Sequence, residues 1–263
     1  MNLNLEGKNA LVCGSSKGIG KAIALELAQL GANITLVARS EDILKANLLE
    51  LNNSNNQNHD YFVADFSKPE ELKTKLKNHL TQRKNPYQIL INNTGGPPGG
   101  MISEAQESAF LDAFNLHLVS NHVVTTALID GMKQSKYGRI VNVISTSVKA
   151  PLKGLGVSNT IRGAVANWSK TMANELGTFG ITVNNVLPGA TATDRLSNII
   201  SNKANKSGQN IETTENAMKA QIPLGRFGKP EEIASGAAFL CTPAAAYITG
   251  TNLVIDGGRT ASL

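Results

Sequence analysis

The sequence predicts an α/β fold in which a doubly wound parallel sheet is flanked by helices. Short, continuous Val/Ile/Leu runs, typical of strands buried on both faces, alternate with segments of helical periodicity from the start of the chain. A helix between each pair of strands requires parallel connections. With 263 residues, 41% of them hydrophobic, the chain is long enough for one large domain with a sizeable core.

The predicted elements follow one another in strand–helix order. The strands are expected at 9–13, 34–38, 61–64, 89–92, 140–144, 181–187 and 252–255. Helices are expected at 18–31, 41–51 and 69–81, and two longer helical stretches at 107–133 and 155–177. No shift in composition marks a second domain, so residues 1–263 are predicted to form one.

One segment departs from this alternation. Residues 197–216 are polar, short of apolar side chains and long for a loop in a compact domain. Such segments are usually lids or partly disordered. We therefore expect a mobile substrate lid at about 195–222 without a packed helical pattern.

Composition argues against several classes of protein. There is no run of eighteen apolar residues and no signal-peptide pattern, so we expect a cytoplasmic protein without a membrane partner. Two cysteines, Cys13 and Cys241, are too few for a disulfide framework or a zinc site, and no metal is expected. The net charge of +5 is scattered and aromatic residues are 5%, which argues against nucleic acid but suits a small anionic ligand.

A glycine-rich segment, Gly14-Ser15-Ser16-Lys17-Gly18-Ile19-Gly20, lies between the first predicted strand and the first predicted helix. Glycines permit a tight turn and close approach of the backbone to a pyrophosphate, and a helix N-terminus offers free N–H groups. The strand–loop–helix context predicts a Rossmann-type dinucleotide site rather than a turn without a ligand. The expected contacts are Gly14, Ser16, Lys17, Gly18, Ile19 and Gly20.

Further motifs follow at fitting distances along the chain. They are NNTG at 92–95, GRIVNV at 138–143, PGATAT at 188–193, PLGRFGKPEEIA at 223–234, and ITG through DGG at 248–258. Together with the GxxxGxG spacing of the glycine loop, they resemble the short-chain dehydrogenase/reductase family, in the form of bacterial β-ketoacyl-acyl-carrier-protein reductases. The resemblance runs nearly end to end. It implies a dinucleotide-binding fold and hydride transfer between a nicotinamide and a carbonyl or alcohol.

The second predicted strand indicates which dinucleotide is bound. An NAD-selective site has a carboxylate at the end of this strand, for the ribose 2′-hydroxyl. Here the strand ends at Arg39, with no carboxylate before Glu41. Arg39 and Lys17 are cations suited to a 2′-phosphate, so we predict NADP (NADPH) as cofactor.

The resemblance implies the remaining cofactor contacts. Asp65 and Phe66 follow the third predicted strand, where the family contacts the adenine. The positions that meet the ribose, nicotinamide or pyrophosphate in the family are Asn93, Gly95, Arg162, Pro188, Gly189, Thr191 and Thr193.

The family's catalytic pattern is incomplete in this chain. The family uses Tyr-x-x-x-Lys, a serine about thirteen residues earlier, and an asparagine on the preceding long helix. No tyrosine here is followed by lysine at the required spacing. Alignment of the helix places Ser158 at the tyrosine and Arg162 at the lysine.

The same alignment places Ser145 at the serine and His117 at the asparagine, a position that Asn115 and Asn121 contest. Ser145 is expected to contact a substrate oxygen, or otherwise to satisfy a turn. His117 has a free pKa suited to proton transfer near neutrality and is the candidate relay. Its alternative role is packing between helices in an oligomer interface.

Ser158 and Arg162 cannot replace the family pair chemically. A serine hydroxyl ionises far above neutral pH and arginine does not give up its proton, so Ser158 is a poor general acid. Arg162 is expected to bind ribose hydroxyls or a phosphate. The leading hypothesis is an NADP-dependent oxidoreductase acting on a small molecule with an atypical proton transfer. The alternative is a catalytically inactive NADP-binding sensor or partner subunit.

Two further expectations concern surfaces. The family pairs its long helices across two-fold axes, which implies a homotetramer. The loop 95–100, Gly-Gly-Pro-Pro-Gly-Gly, borders the nicotinamide in the family. It is expected either to shape the substrate site or to be an irregular surface turn.

Overall fold

The computed structural model describes residues 1–262, and Leu263, at the end of the predicted domain, lies outside them. The described residues form one domain around a seven-stranded parallel sheet of order β3-β2-β1-β4-β5-β6-β7. This is the predicted doubly wound arrangement, and its strand order reverses between β1 and β4. The strands are β1 (Asn9–Cys13), β2 (Asn33–Ala38), β3 (Asp60–Val63), β4 (Ile89–Asn92), β5 (Gly138–Val143), β6 (Ile181–Pro188) and β7 (Asn252–Ile255).

Helices cover both faces of the sheet. They are α1 (Gly18–Gln29), α2 (Glu41–Leu48), α3 (Pro69–Thr81), α4 (Glu107–Phe114), α5 (Ser120–Gln134), α6 (Gly156–Leu176), α7 (Asp194–Ser207), α8 (Ile211–Lys219) and α9 (Pro230–Cys241). Alternate residues of β1 face opposite layers: Val12 packs in the core under α1 and α9, and Leu11 in the core under α3, α5 and α6. Burial on both faces explains the continuous apolar runs of the strands.

The predicted helical stretch 107–133 is interrupted. Between α4 and α5 the chain forms a π-helical segment, Asn115–Val119, with His117 at its centre. Such segments insert an extra residue into a helix and often occur at functional sites. Here the segment packs against α6.

No packed helical pattern was predicted for residues 197–216, but the segment is helical and this prediction is wrong. The segment consists mostly of α7 and α8. Leu196, Ile200 and Ala204 are buried at a spacing of four residues, which places them on one side of α7. The apolar residues are few, but their spacing is helical. The mobility of the lid stays a prediction.

A row of asparagines crosses the sheet from β4 to β7. Asn92, Asn142, Asn185 and Asn252 are register partners on neighbouring strands. Each Nδ2 donates to the Oδ1 of the next asparagine, over 2.9, 3.1 and 2.8 Å. A one-residue slip of any strand would break these bonds, so the row helps to fix the register.

Two findings concern membrane-spanning segments and metal sites, which the composition argued against. None of the helices within residues 1–262 has the length and apolar character needed to cross a bilayer. In the same residues, no group of three or more His, Cys, Asp or Glu side chains could hold a metal ion. Cys13 and Cys241 are both buried as free thiols, and burial raises the pKa of Cys241 to about 12.

Candidate nucleotide-binding and active site

The loop between β1 and α1 is built around glycines that cannot carry a side chain. Gly14 and Gly18 have positive φ angles of 61° and 58°. A Cβ on Gly20 would collide with the Gly14 carbonyl oxygen, so α1 begins directly against the loop. No side chain caps the N-terminus of α1, which leaves its first N–H groups available to an anion.

Residues that the sequence did not single out hold this loop in place. The Ser15 hydroxyl oxygen accepts the Val37 N–H at 2.9 Å. Asn47 of α2 donates to the carbonyl oxygens of Ser15 and Ser16, at 3.1 and 2.9 Å. These bonds join positions more than twenty residues apart, so no local pattern could have indicated them.

Asn93 connects the two sides of the crevice between β1 and β4. Its Nδ2 donates to the Gly14 carbonyl oxygen at 3.1 Å. In open α/β sheets, ligands bind outside the carboxyl ends of the strands where the strand order reverses. The structure therefore brings Asn93 and the glycine loop together at that place. Gly95 follows them and is exposed.

Arg39 lies at the carboxyl end of β2, beside the end of β3. It is exposed, and it is near enough to Asp65 to affect that carboxyl group. Although burial raises the pKa of Asp65, hydrogen bonds from Ser67 and the charges of Arg39 and Lys68 lower it overall. The Phe66 ring packs into the core with the apolar side chains of α3 and α5.

Lys17 of the glycine loop contacts the start of α7. Its Nζ lies 2.7 Å from Oδ2 of Asp194, the first residue of α7. Both side chains are largely exposed. The role predicted for Lys17 beside Arg39 at a 2′-phosphate stays a prediction, and in this structure Lys17 is paired with Asp194.

The segment after β6 leads from the sheet to α7. A Cβ on Gly189 would come within 2.7 Å of the Asp256 backbone, so the turn after Pro188 requires glycine. The Thr191 hydroxyl donates to the Gly189 carbonyl at 3.1 Å. Thr193 caps α7 by accepting the Leu196 N–H, and its methyl group lies against Gly18 of the glycine loop.

Ser145, Ser158 and Arg162 lie at and after the end of β5. The Ser145 hydroxyl oxygen accepts the Ser147 N–H at 3.1 Å and so caps a short turn. Ser158 and Arg162 are one turn apart on α6, and both are 7% exposed. Arg162 Nη1 donates to the Val143 carbonyl oxygen at 3.1 Å.

His117 is 1% exposed and packs within the protomer. Its Nδ1 lies 2.7 Å from the Thr94 hydroxyl, and its Nε2 is buried without a partner among residues 1–262. Burial, with the charges of Arg162 and Arg195, lowers the pKa of His117 to about 2. The buried site disfavours the imidazolium, so the free value of 6.5 does not hold here, and the role of His117 as a proton relay stays a prediction.

Arg195 was missed at the sequence level. It lies in the first turn of α7 and donates from Nη1 to the Gly96 carbonyl at 2.7 Å and from Nη2 to the Pro97 carbonyl at 3.3 Å. The spacing gave no signal, because Arg195 and the loop 95–100 are a hundred residues apart. The loop is thus one side of a contact that crosses the crevice.

A cleft of about 370 Å³ opens beside α7 and α8. Its lining includes Thr193, Asp194, Glu215 and Phe227. The four residues predicted as catalytic do not line this cleft; they lie at the end of β5 and on the adjoining helices.

The chain matches the family described as enoyl-(acyl carrier protein) reductase over residues 14–260. It is 36% identical to 3-oxoacyl-[acyl-carrier-protein] reductase FabG of Vibrio cholerae over 258 residues, which cover 97% of this chain and 98% of that protein. L-Sorbose reductase from Gluconobacter frateurii, solved with NADPH and L-sorbose, has a TM-score of 0.92 at 28% identity, with 100% of both chains covered.

YwfH, described as an NADPH dependent reductase involved in bacilysin biosynthesis, has a TM-score of 0.90 at 28% identity. That match covers 97% of this chain and 99% of YwfH. These similarities extend from the glycine loop to beyond the last strand. The chain therefore belongs to the short-chain dehydrogenase/reductase family.

Proposed function

We propose that this protein is an NADP-dependent oxidoreductase that transfers a hydride between the nicotinamide and a carbonyl or alcohol substrate. The observation that carries the proposal is the nucleotide cradle at the β1–β4 crevice, where glycines bring the uncapped N-terminus of α1 up to the loop. The names of the similar proteins support it: the Vibrio cholerae relative is a reductase, and two similar structures are described with NADPH.

The residues of the cradle fit a dinucleotide. Gly14, Ser16, Lys17, Gly18, Ile19 and Gly20 would hold the pyrophosphate through backbone N–H groups and the helix dipole. When bound, NADPH supplies the hydride. The residues that would border its ribose and nicotinamide are Asn93, Gly95, Arg162, Pro188, Gly189, Thr191 and Thr193, and Asp65 and Phe66 would border the adenine.

Charges at the end of β2 favour NADP over NAD. The first carboxylate after β2 is Glu41, and its Oε1 already accepts the Tyr61 hydroxyl at 3.0 Å and pairs with Lys45 at 2.9 Å. Glu41 is therefore engaged on α2 and not free for a ribose 2′-hydroxyl. Arg39, with Lys17 of the glycine loop as the second cation, would meet a 2′-phosphate.

Reduction of a carbonyl also needs a proton for the oxygen. We assign to Ser145 a hydrogen bond to that oxygen, since its hydroxyl hydrogen is not used in the cap it forms. Arg162 would stabilise the negative charge, with Ser158 beside it on α6. His117 is neutral and its Nε2 is enclosed, so we assign the proton to water, and His117 positions Thr94.

We further propose a homotetramer. Apolar side chains project from α4 into solvent: Leu111 is 65% exposed and Phe114 is 41% exposed. On α5 and α6, His122 and Trp168 form an edge-to-face pair with ring centroids 6.3 Å apart. These helices are the surfaces that the family resemblance places in two-fold interfaces.

The test combines binding with turnover. NADPH and NADH are titrated by fluorescence, and NADPH oxidation is then followed with 3-oxoacyl thioesters, keto sugars and 2-oxo acids. The proposal expects tight NADPH binding and reduction of at least one carbonyl class. NADPH binding without turnover on any class of substrate would favour the NADP-binding sensor. The sensor is the second candidate because neither Ser158 nor Arg162 can donate a proton readily at neutral pH.

A further inference from the structure

Two arginines without acidic partners, the buried Arg162 and the exposed Arg195, lie beside the ends of β4 and β5. Arg162 is 7% exposed, and its guanidinium donates to the Val143 carbonyl oxygen. Arg195 reaches across from α7 and donates to the carbonyl oxygens of Gly96 and Pro97. Within residues 1–262, neither guanidinium has a carboxylate oxygen within salt-bridge distance.

The two charges are close enough to act on each other. Burial, and after it the charge of Arg195, lowers the pKa of Arg162 to about 10. Both arginines also lower the pKa of His117. Three potential cations therefore share one site, and two of them stay charged at neutral pH.

An unpaired buried charge is costly, and natural proteins normally pair it. The Arg162 guanidinium has five N–H donors, and its side-chain hydrogen bond within residues 1–262 is the one from Nη1 to Val143. Its other nitrogens are not among the fully buried atoms that lack a partner, so they are accessible to a ligand. The orphan His117 Nε2 lies in the same cluster. When the Thr94 hydroxyl donates to Nδ1, Nε2 carries a hydrogen and adds another unmatched donor. A compact anion would satisfy the accessible N–H groups of Arg162.

The cofactor's pyrophosphate does not account for the site. It belongs at the N-terminus of α1, behind β1, whereas Arg162 lies at β5. In the order β1-β4-β5, this is a separation of two strands, roughly 10 Å. A second anion, carried by the substrate, fits the position.

The loop 95–100 is shaped to admit Arg195. A Cβ on Gly96 would come within 2.7 Å of Cζ and 2.8 Å of Nη1 of Arg195. Only glycine lets the guanidinium lie directly on the loop backbone. This gives the unusual glycine–proline loop a role that the family resemblance did not supply.

We propose that Arg162 and Arg195 together bind a carboxylate of the substrate beside its reacting carbonyl, so that the substrate class is a small oxo or hydroxy acid. This deepens the proposed function and rests on it, because Arg162 is also the residue assigned to the negative charge on the carbonyl oxygen. The planar guanidinium fork matches a carboxylate through paired N–H···O bonds.

The test uses oxamate, a planar carboxylate, and oxamide, its neutral counterpart. Each is titrated by calorimetry into the protein saturated with NADP⁺. Oxamate should bind and oxamide should not. Arg195→Gln should weaken oxamate binding at least tenfold and NADPH binding much less. Gly96→Ala, which displaces Arg195 but keeps its charge, should also weaken oxamate binding.

The matched control is Lys206→Gln, which removes one positive charge from the exposed far end of the same helix. It should leave oxamate affinity unchanged. Arg162→Lys retains the buried charge but not the fork, and tests Arg162 with less risk to folding than a neutral substitution. It should lower oxamate affinity.

Equal affinities for oxamate and oxamide would overturn the proposal, as would full oxamate affinity in Arg195→Gln. A protein that binds NADPH and reduces neutral ketones, but does not bind oxamate, keeps the proposed function and loses this inference. If oxamate binding depends on Arg195 in a protein that does not bind NADPH, the carboxylate site stands and the proposed function fails.

Discussion

Lys17 Nζ and Asp194 Oδ2 lie 2.7 Å apart, and this ion pair joins the glycine loop to the first turn of α7. The next residue, Arg195, joins the same turn to the loop after β4. The start of α7 is thus attached to both sides of the crevice. Binding of a nucleotide there and movement of the lid are expected to be linked.

Cofactor preference should depend on Arg39. Arg39→Asp replaces a cation suited to the 2′-phosphate by a carboxylate suited to the 2′-hydroxyl. Loss of a charge-assisted bond of about 1.5–3 kcal/mol should weaken NADPH binding roughly 10- to 100-fold and favour NADH. Calorimetry with both nucleotides measures the change, and equal wild-type affinities for the two would contradict the assignment.

Asp194→Asn should loosen the lid. The substitution removes the Lys17 ion pair with little change in shape, so hydrogen exchange in 195–222 should become faster in the free protein. In the wild type, exchange there should slow when NADPH binds. Asp42→Asn, on the surface of α2, is the control. Equal exchange rates in the free wild type, the free Asp194→Asn variant and the NADPH-bound wild type would refute a lid at this segment.

His117 should make the protein sensitive to acid. Its folded pKa of about 2 lies below the ordinary value of 6.5, so the unfolded chain binds more protons between these values. Its contribution to stability is complete above pH 6.5 and is lost as pH falls, by at most about 1.4 kcal/mol per pH unit. Denaturation of His117→Asn at several pH values should show a shallower loss, whereas His122→Asn should match the wild type.

Restoring the family pair should raise turnover. Ser158→Tyr with Arg162→Lys supplies an acid with a tunable pKa next to a lysine, and general acid catalysis is typically worth roughly 10²–10⁴ in rate. The gain is measured as kcat at saturating carbonyl substrate, because loss of the Arg162 guanidinium is expected to raise KM for a substrate carboxylate. Ser158→Tyr alone is the control, because it lacks the lysine. An unchanged kcat in a wild type that already turns over would contradict the prediction, and absence of turnover in both proteins would favour the sensor.

The assembly should be a tetramer. Light scattering at micromolar concentration should give four times the mass of the 27.8 kDa chain. Leu111→Glu and Phe114→Glu place charges on the exposed apolar side of α4 and should reduce the mass, whereas Leu49→Glu, on an exposed surface beyond α2, should not. A monomeric wild type would contradict the proposal.

The sequence was sufficient for the sheet because buried parallel strands appear as continuous apolar runs. The bounds of β1, α3, β4 and β7 agree with the prediction, and the glycine loop lies where expected. The site was less predictable, since its decisive contacts are non-local. Lys17 meets Asp194, and Arg195 meets Gly96, across long stretches of chain. Burial, which no motif reports, changed the chemistry expected of His117.

The asparagine row from Asn92 to Asn252 has a direction. Every amide nitrogen donates toward β7, which leaves the first acceptor, Asn92 Oδ1, without a donor. One amide cannot flip alone without opposing like atoms on its neighbours, so the four amides form a single two-state unit. Reversal would move the orphan acceptor from the strand that leads to Asn93 to the far edge of the sheet. The polarity of the row is therefore set collectively, by side chains that reach as far as the last strand.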